Sequence, residues 1–325
     1  MRTIGILDTS VMSFNYGDQI IMESCRNGLK SVTENAFVIN MPTHSPLFHK
    51  YEFSLKGRDG FRQSLDRLDL KFVCGTNLLE KDMFKRKNSW NLHILDSRYI
   101  NDFILVGVGT DGLPKLANYY TRKFYDAILS HKYLHSVRDE KTKLFLENLG
   151  FGAINTGCAT LWTLTKDHCE KIPHEKSRKV IFTLTDYCRD KIKDKEMIQT
   201  LCDEYESVNY WPQGMFDLDY FNTIKGDCTV DLIGPSLEAY NMFLESNDCD
   251  YVGTRLHAGI KAMQKGKRSI IIGVDNRAKD MYGTFGINLI NRNEINQLEK
   301  IINNTLITNV HINEDAIKEF ISQFL

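Results

Sequence analysis

The feature that most constrains the fold is an alternation of short apolar segments with amphipathic helical segments along almost the whole chain. The apolar runs end at polar or glycine-containing loops, and the segments between them carry apolar residues at helical spacing. Alternation of this kind produces parallel sheets with helices on both faces. The sequence therefore predicts an α/β protein.

A polar and charged segment at residues 166–179, which includes Pro173, separates two halves with the same alternation. A chain of 325 residues has room for two domains with separate cores. We therefore predict two Rossmann-like domains facing a cleft, an N-terminal domain at residues 1–170 and a C-terminal domain at 171–325. The amphipathic terminal helix, at about 313–325, is a candidate to pack back on the N-terminal domain.

Composition excludes several classes of protein. The formal net charge of -1 gives no basis for nucleic-acid binding, so we expect no nucleic-acid partner. The eight cysteines form no C-x-x-C pair, and no histidine spacing suits zinc, so reduced thiols and no metal are expected. No signal peptide or apolar span of 18 residues is visible, which predicts a cytoplasmic protein. Such a protein would approach a membrane-bound substrate only peripherally.

The strongest candidate site is the run Gly253-Thr-Arg-Leu-His-Ala258. It follows a predicted strand end and opens a predicted helix at 256–265, so Arg255 and His257 fall at the first helical turn. Unpaired N–H groups and the helix dipole favour an anion there. The alternative is that Arg255 pairs with Asp250 or Asp275 and that His257 is a core histidine. The position at the carboxyl end of a parallel strand favours a ligand site.

Two further segments follow predicted strands and precede predicted helices. Asn15-Tyr-Gly-Asp18 is one, and its alternative interpretation is a well-capped helix. Arg138 is the other, and its alternative is an ion pair with Asp139 or Glu140.

The glycine run from Gly107 to Gly112 formally matches the dinucleotide pattern G-x-G-x-x-G. It follows a late strand, Pro114 comes soon after it, and no acidic residue is clearly placed at the end of the next strand. A loop that lets a ligand or the opposing domain approach closely is the more economical interpretation, and a dehydrogenase is the weaker one.

Together these motifs resemble the polysaccharide pyruvyl transferase family. The Gly-Thr-Arg-Leu-His-Ala run is the most specific part, and order and spacing agree over nearly the whole chain for Asn15-Tyr-Gly-Asp18, Ser136-Val-Arg-Asp139, Gly253–Ala258 and Asp275-x-x-x-Lys279. The resemblance implies a fold similar to the GT-B glycosyltransferases. It also implies transfer of the enolpyruvyl unit of phosphoenolpyruvate onto two sugar hydroxyls, which makes a cyclic pyruvate ketal. One departure is Gly273-Val274, where the family often has a serine-tyrosine pair.

The resemblance also implies roles for single residues. The donor phosphoenolpyruvate would be bound by Arg138, Arg255, Leu256 through its backbone, His257 and Lys279. No separate cofactor is expected. His257 would be the general acid or base, and the acceptor side would be lined by Asn15, Gly17 and Asp18, with Asp18 either a base or a support for the loop. The acceptor would be a glycan or a lipid-linked sugar, in cell-surface or exopolysaccharide biosynthesis.

Two other functions remain open at this stage. A GT-B glycosyltransferase with a nucleotide-sugar donor would use the same cations for a diphosphate. A non-catalytic protein that binds a sugar anion is the second, and the adjacent Arg255 and His257 disfavour it.

Overall fold

A computed structural model of the chain describes residues 1–47, 65–85, 90–110, 116–274 and 285–325. These residues form two compact units. The first comprises Met1–Ser13, Ile21–Trp162 and Asn313–Leu325, and the second comprises Phe14–Ile20 and Thr163–Ile312. The predicted bounds of 1–170 and 171–325 differ from these units at 162/163, and the segment 14–20 groups with the second unit.

The first unit is built on a parallel sheet in which β1 (Arg2–Asp8) lies between two neighbours. The strand order is β2-β1-β3-β5, and a second parallel pair, β7 with β8, adjoins it through a bridge between Val108 and Val137. The short strands β4 and β6 pair separately. The remaining strands are β2 (Ala36–Pro42), β3 (Leu70–Cys74), β4 (Asn77–Leu79), β5 (Phe103–Val106), β6 (Gly109–Thr110), β7 (His135–Val137) and β8 (Ala153–Asn155).

Helices cover both faces of this sheet. Successive strand residues point to opposite faces, so Ile104 joins one core cluster and Leu105 the other. The terminal helix belongs to the first unit, where Phe320 packs on Trp162 and Phe324 packs on Phe72. The first α-helices of the chain are α1 (Tyr16–Gly28), α2 (Lys30–Thr33), α3 (Tyr119–Ile128) and α4 (Glu140–Glu147), and α5 (Lys166–Cys169) follows in the second unit.

The second unit contains a six-stranded sheet whose strands are all parallel. Its order is β11-β10-β9-β12-β13-β14, so the direction of winding reverses between β9 and β12. This is the order of a dinucleotide-binding fold, in which ligands bind outside the carboxyl ends of the strands at the reversal. The strands are β9 (Lys179–Thr183), β10 (Ser207–Tyr210), β11 (Asp231–Leu232), β12 (Asp250–Gly253), β13 (Ser269–Gly273) and β14 (Leu289–Asn291).

The helices of the second unit also pack on both faces of its sheet. Val252 and Ile272 lie in a cluster that includes residues of α6 and α10, and Gly259 of α9 lies against Tyr251 and Ile271 on the other face. The helices of this unit are α6 (Lys191–Glu204), α7 (Asp217–Asn222), α8 (Leu237–Ser246), α9 (Leu256–Gln264) and α10 (Leu298–Asn303), and the terminal helix of the first unit is α11 (Glu314–Ser322). The α/β class with parallel sheets is therefore confirmed.

One prediction about the cysteines is wrong. Cys202 at the end of α6 and Cys228 after α7 form a disulfide, with their Cα atoms 6.4 Å apart. The other six cysteines are free thiols. Spacing along the chain could not indicate this pair, because the two residues are separated by 26 positions and are joined by tertiary packing.

Candidate functional site

The candidate site of the second unit lies where β9 and β12 end side by side. The backbone N–H of Thr254 donates to the carbonyl of Thr183 at 3.1 Å, which extends the pairing of the two strands. Beyond it, the Thr185 hydroxyl lies 2.9 Å from the Thr254 hydroxyl. These bonds hold the loops after both strands together, so residues 185–187 and 254–257 share the point at which the strand order reverses.

Arg255 lies at the N-cap of α9 and is 3% exposed. Its Nε donates to Oδ2 of Asp217 at 3.0 Å, and its Nη2 donates to the other oxygen of the same carboxylate. Nη2 also donates to Asp186 at 2.8 Å, while the ring of Tyr187 lies 4.9 Å from the guanidinium carbon. Within the described part of the chain, the protein engages the N–H groups of Nε and Nη2, and Nη1 is the nitrogen left for a ligand.

The alternative expected from the sequence, that Arg255 pairs with Asp250, is not what the structure contains. Asp250 pairs with Arg268 at 2.7 Å and also accepts from the hydroxyl of Tyr205. Asp275, the other expected partner, lies outside the described residues. Arg255 does form ion pairs, but its partners are Asp186, in the loop after β9, and Asp217, the first residue of the helix that follows β10.

Charge is concentrated in a small buried volume around Arg255. Burial raises the pKa of Asp217, and the hydrogen bonds from Arg255 and from the backbone of Gly214 and Asp186 partly offset it. Burial lowers the pKa of Arg255, but the adjacent Asp217 carboxylate outweighs that effect, so the net direction is upward. The guanidinium therefore stays charged, and two carboxylates hold it in one orientation.

Gly214 allows this close packing. A Cβ atom at position 214 would collide with Nη2 of Arg255 and would lie 3.2 Å from Oδ1 of Asp217. The Gly214 N–H donates to Asp217 at 2.7 Å. Any larger residue at this position would displace the arginine.

Leu256 and His257 occupy the first turn of α9 and are half-buried. The N-cap residue of this helix is Arg255, whose side chain donates to the carboxylates and does not cap the helix. The N–H groups of the first turn and the helix dipole give this end of α9 a partial positive charge. Arg255 and His257 are thus brought to one loop, as predicted.

The loop Asn15-Tyr-Gly-Asp18, which we call the Asn15–Asp18 loop, packs on the chain after β10. Asn15 and Gly214 form an antiparallel bridge, in which the N–H of Tyr16 donates to the carbonyl of Gln213 at 3.0 Å. The side chain of Gln213 donates to Oδ1 of Asn15 at 2.7 Å. Asp18 is half-buried in the first turn of α1. The loop groups with the second unit, which also contains Arg255 and His257.

Trp211, two residues before Gln213, supports this loop from the core. Its ring is fully buried, stacks on Tyr240 at 4.0 Å and lies 6.1 Å from the ring of Tyr16. Its indole N–H donates to the carbonyl of Ser236 at 3.1 Å. Trp211 is therefore a packing residue that connects α8 to the Asn15–Asp18 loop.

Arg138 lies in the first unit, directly after β7. Its backbone N–H donates to Val108 at 3.0 Å, and its guanidinium lies against Gly109. Its Nε is 3.4 Å from the carboxylate of Asp139, so the ion pair expected as an alternative is present but long. Asp139 mainly caps α4 by accepting from Thr142 at 2.8 Å.

The described part of the glycine run, residues 107–110, does not have the geometry of a dinucleotide loop, and Gly112 lies outside the described residues. Gly109 and Thr110 form strand β6 and pair with β4, whereas the dinucleotide pattern requires a turn that enters a helix. Gly107 has a φ of +61° and packs against the backbone of Ala159. This agrees with a close approach within the fold.

The remaining predicted donor residue, Lys279, lies outside the described residues. Sequence reasoning missed Asp186, Gln213, Gly214 and Asp217, which contact the predicted residues. The only local signal was their position after predicted strands β9 and β10.

Among the described residues, no three His, Cys, Asp or Glu side chains are grouped as a metal site would require. No helix of that part of the chain has the length and apolar character needed to span a membrane.

Solved structures share the fold over nearly the whole chain. The S. aureus protein MnaA in complex with UDP is 13% identical with a TM-score of 0.53, covering 98% of this chain and 94% of that one. The UDP-GlcNAc 2-epimerase of Methanocaldococcus jannaschii is 14% identical with a TM-score of 0.51, covering 99% of both chains. The Neisseria meningitidis UDP-GlcNAc 2-epimerase is 13% identical with a TM-score of 0.51, covering 100% of this chain and 99% of that one.

At these identities the likeness concerns the fold alone. Fold and strand order define a GT-B-like α/β protein, as predicted. A family model for polysaccharide pyruvyl transferase matches residues 15–276, and the chain belongs to this family. The match spans both the Asn15–Asp18 loop and the Gly253–Ala258 run, so the resemblance seen in the sequence is confirmed. No curated protein sequence matches the chain.

Proposed function

We propose that this protein transfers the pyruvyl group of phosphoenolpyruvate to two hydroxyls of a sugar residue. The products would be a cyclic pyruvate ketal and phosphate, formed in cell-surface or exopolysaccharide biosynthesis. The observation that carries the proposal is the family match over residues 15–276. The Gly253–Ala258 run within that match lies at the strand-order reversal of the second unit, where α/β sheets bind ligands.

The reaction places definite demands on the protein. A proton is added to the methylene carbon of phosphoenolpyruvate, and one sugar hydroxyl forms a bond to the central carbon. The bond from that carbon to the phosphate oxygen then breaks, and a second hydroxyl closes the ring. The two hydroxyl protons balance the new methyl group and the released hydrogen phosphate. A site for this chemistry needs fixed cations and at least one group that transfers protons.

Arg255 has fewer N–H groups for binding a donor than the sequence alone would indicate. Two carboxylates engage its Nε and Nη2, so the donor would be bound by the two N–H groups of Nη1. Asp186 and Asp217 would fix the direction of that nitrogen before the donor arrives, which lowers the cost of ordering it on binding. The first turn of α9 would add backbone N–H groups. Arg138 and Lys279 are the further cations that we propose for the carboxylate and phosphate.

His257 is the residue that we propose as the general acid or base. It stands in the first turn of α9, next to Leu256, whose backbone we propose as a donor ligand. An imidazole titrates near neutral pH and can supply the proton to the methylene carbon or remove one from a hydroxyl. Asp18 is the proposed second residue for proton transfer, on the acceptor side with Asn15 and Gly17.

The test is phosphate release from phosphoenolpyruvate with a panel of methyl glycosides, followed by mass spectrometry of the glycoside. We expect phosphate release with at least one sugar and a mass increase of one pyruvyl group. UDP-GlcNAc is the comparison donor, because solved structures with this fold carry UDP or UDP-GlcNAc. Consumption of UDP-GlcNAc, with no phosphate released from phosphoenolpyruvate, would overturn the proposal in favour of a nucleotide-sugar enzyme.

The donor site has its own test. Arg255→Ala should weaken phosphoenolpyruvate binding by roughly 1.5–3 kcal/mol, the range for a hydrogen bond to a charged group. Titration calorimetry measures this directly. Unchanged binding would remove Arg255 from the donor site.

A further inference from the structure

Gln213 connects the chain after β10 to the Asn15–Asp18 loop, and its side chain is almost completely buried. Its residue exposure is 2%, and its Nε2 donates to Oδ1 of Asn15 at 2.7 Å. The same Asn15 oxygen accepts from the backbone N–H of Gly17 at 3.0 Å. Because that backbone donor requires an oxygen opposite it, the Gln213 atom facing Asn15 must be the amide nitrogen. The direction of the bond is therefore fixed.

The backbone and the side chain of Gln213 have separable effects. The path of the loop is held by backbone bonds, from Tyr16 to Gln213 at 3.0 Å and from Met215 to Phe14 at 2.9 Å. The Asn15 amide is held by the side chain of Gln213 together with the N–H of Gly17. A substitution at 213 can therefore remove the side-chain contact to that amide without removing the backbone pairing.

Gly17 provides the space for this contact. A Cβ atom at position 17 would lie 2.9 Å from Nε2 of Gln213 and 3.1 Å from Oδ1 of Asn15. A contact that short is not tolerated, so a side chain at 17 would push the two amides apart. Gly17, Gln213 and Asn15 thus pack closely against one another.

The other amide atom of Gln213, its Oε1, is buried. Among the residues that the structure describes, it has no hydrogen-bond partner. Such an atom is destabilising, and unsatisfied polar atoms are uncommon in folded proteins. The amide nevertheless keeps this orientation, because the bond from its nitrogen to Asn15 requires it.

We propose that Gln213 is a positioning residue for the sugar acceptor. By holding Asn15, it keeps the Asn15 amide in the orientation that binds acceptor hydroxyls. The carboxylate of Asp18 and the amide of Asn15 suit hydroxyl groups, whereas a carboxylate repels the phosphoenolpyruvate anion. This inference rests on the proposed function and assigns Gln213 to acceptor binding within it.

The first experiment separates the two substrates kinetically. Gln213→Met keeps the length of the side chain and removes the hydrogen bond, so the KM for the glycoside should rise about tenfold. The KM for phosphoenolpyruvate should stay within about twofold of wild type. The matched control is Gln199→Met on the exposed side of α6, which should leave both constants unchanged. A Gln213→Met enzyme with wild-type glycoside KM, or with both KM values raised equally, would overturn the proposal.

The second experiment uses a pH profile that a general packing defect would not produce. In Gln213→Glu the ionised carboxylate has no proton to donate to Asn15, so the glycoside KM should be raised at pH 8. A protonated carboxyl has one O–H donor. The glycoside KM of Gln213→Glu should therefore return toward the wild-type value as the pH is lowered to 5.5. The ratio of the glycoside KM of Gln213→Met to that of wild type should stay constant over the same pH range. If the ratio of the glycoside KM of Gln213→Glu to that of wild type does not change with pH, the proposed hydrogen bond from residue 213 to Asn15 is contradicted.

A third measurement distinguishes failure of this inference from failure of the proposed function. If the wild-type chain releases no phosphate from phosphoenolpyruvate, the proposed function fails. Saturation-transfer NMR with methyl glycosides of galactose, glucose and mannose then decides the role of Gln213 alone. A signal with wild type that is lost in Gln213→Met and kept in Gln199→Met supports it. Equal signals from wild type and Gln213→Met, or no signal from wild type, overturn it.

Discussion

Asp217 binds Arg255 with both carboxylate oxygens, although the two residues are 38 positions apart in the chain. Asp217 begins α7, which follows β10, and Arg255 begins α9, which follows β12. The pair therefore ties two loops at the carboxyl edge of the second sheet. Substitutions can separate the contribution of this ion pair to folding stability from its proposed contribution to donor binding.

Asp217→Asn should destabilise the second unit strongly. It leaves the buried guanidinium without its main counter-charge, a change that typically costs about 3–5 kcal/mol. Urea unfolding measures the loss, and Asp219→Asn on the exposed side of α7 is the matched control. The double variant Arg255→Met/Asp217→Leu should recover most of the stability without donor binding. A single variant as stable as wild type would contradict this.

His257→Ala should lower kcat much more than it raises the KM for phosphoenolpyruvate. A positioned acid or base typically contributes about 10²–10⁴-fold to the rate. Steady-state phosphate release gives both constants, and His174→Ala is the control because His174 is exposed. Normal turnover by the His257 variant would show that another group transfers the proton.

Arg268 should matter for folding and not for catalysis. It is 1% exposed, pairs with Asp250 at 2.7 Å, and donates to the carbonyls of Ile302 and Asn304, both at 2.9 Å. Arg268→Lys cannot make all these bonds and should cost about 3–5 kcal/mol. Thermal unfolding measures this against the exposed control Arg178→Lys, and the KM for phosphoenolpyruvate should be unchanged. A large change in that KM would place Arg268 nearer the donor than the fold indicates.

His135 should make the protein acid-sensitive. Its Nδ1 accepts from the N–H of Leu105 and its Nε2 donates to the carbonyl of Ser130, so it is buried as the neutral tautomer. Burial lowers the pKa of His135 to about 4. At pH values between about 4 and the unfolded pKa of roughly 6.5, the unfolded chain binds a proton at His135 and the folded protein does not. Stability should therefore fall by about 3 kcal/mol as the pH falls through this window.

Urea unfolding at pH 7, 5.5 and 4 tests this dependence. His135→Gln should be less stable at pH 7 but should lose less stability on acidification than wild type. His174→Gln, at an exposed position, should keep the wild-type slope. Equal slopes for wild type and His135→Gln would assign the acid sensitivity to other groups.

The disulfide between Cys202 and Cys228 should stabilise the second unit. It closes a loop of 26 residues, which corresponds to about 3–4 kcal/mol in the chain-entropy account. A reducing agent should lower the Tm of wild type toward that of Cys202→Ser/Cys228→Ser, whose Tm should not respond to the reagent. A wild-type Tm that is insensitive to reduction would contradict the bond.

Much of the fold could be predicted from local patterns. The Gly253–Ala258 run was predicted to follow a strand and to open a helix at 256–265, and the structure has β12 and α9 there, with α9 ending one residue earlier at Gln264. In these segments the apolar residues recur at regular spacing, and the ends of the elements are clearly marked. The strands Ala153–Asn155 and Leu289–Asn291 were not predicted, because three residues carry too little periodicity to be recognised.

The candidate site was predictable in part. Helical spacing and the end of a strand place Arg255 and His257 on one loop from sequence alone. The partners of Arg255 were not predictable, because Asp186 and Asp217 reach it only through the order of strands in the sheet. The expected partner Asp250 is close in sequence, but it lies at the opposite end of β12. Sequence proximity therefore favoured the wrong carboxylate.

The stacking of Trp211 between Tyr240 and the Asn15–Asp18 loop gives the protein an intrinsic fluorescent reporter. An indole that is sealed from water emits at short wavelength, and its emission shifts to the red when water reaches it. With Trp90 and Trp162 replaced by phenylalanine, Trp211 would be the one tryptophan in the chain. Displacement of the loop could then be followed in real time in stopped-flow mixing, with no added label.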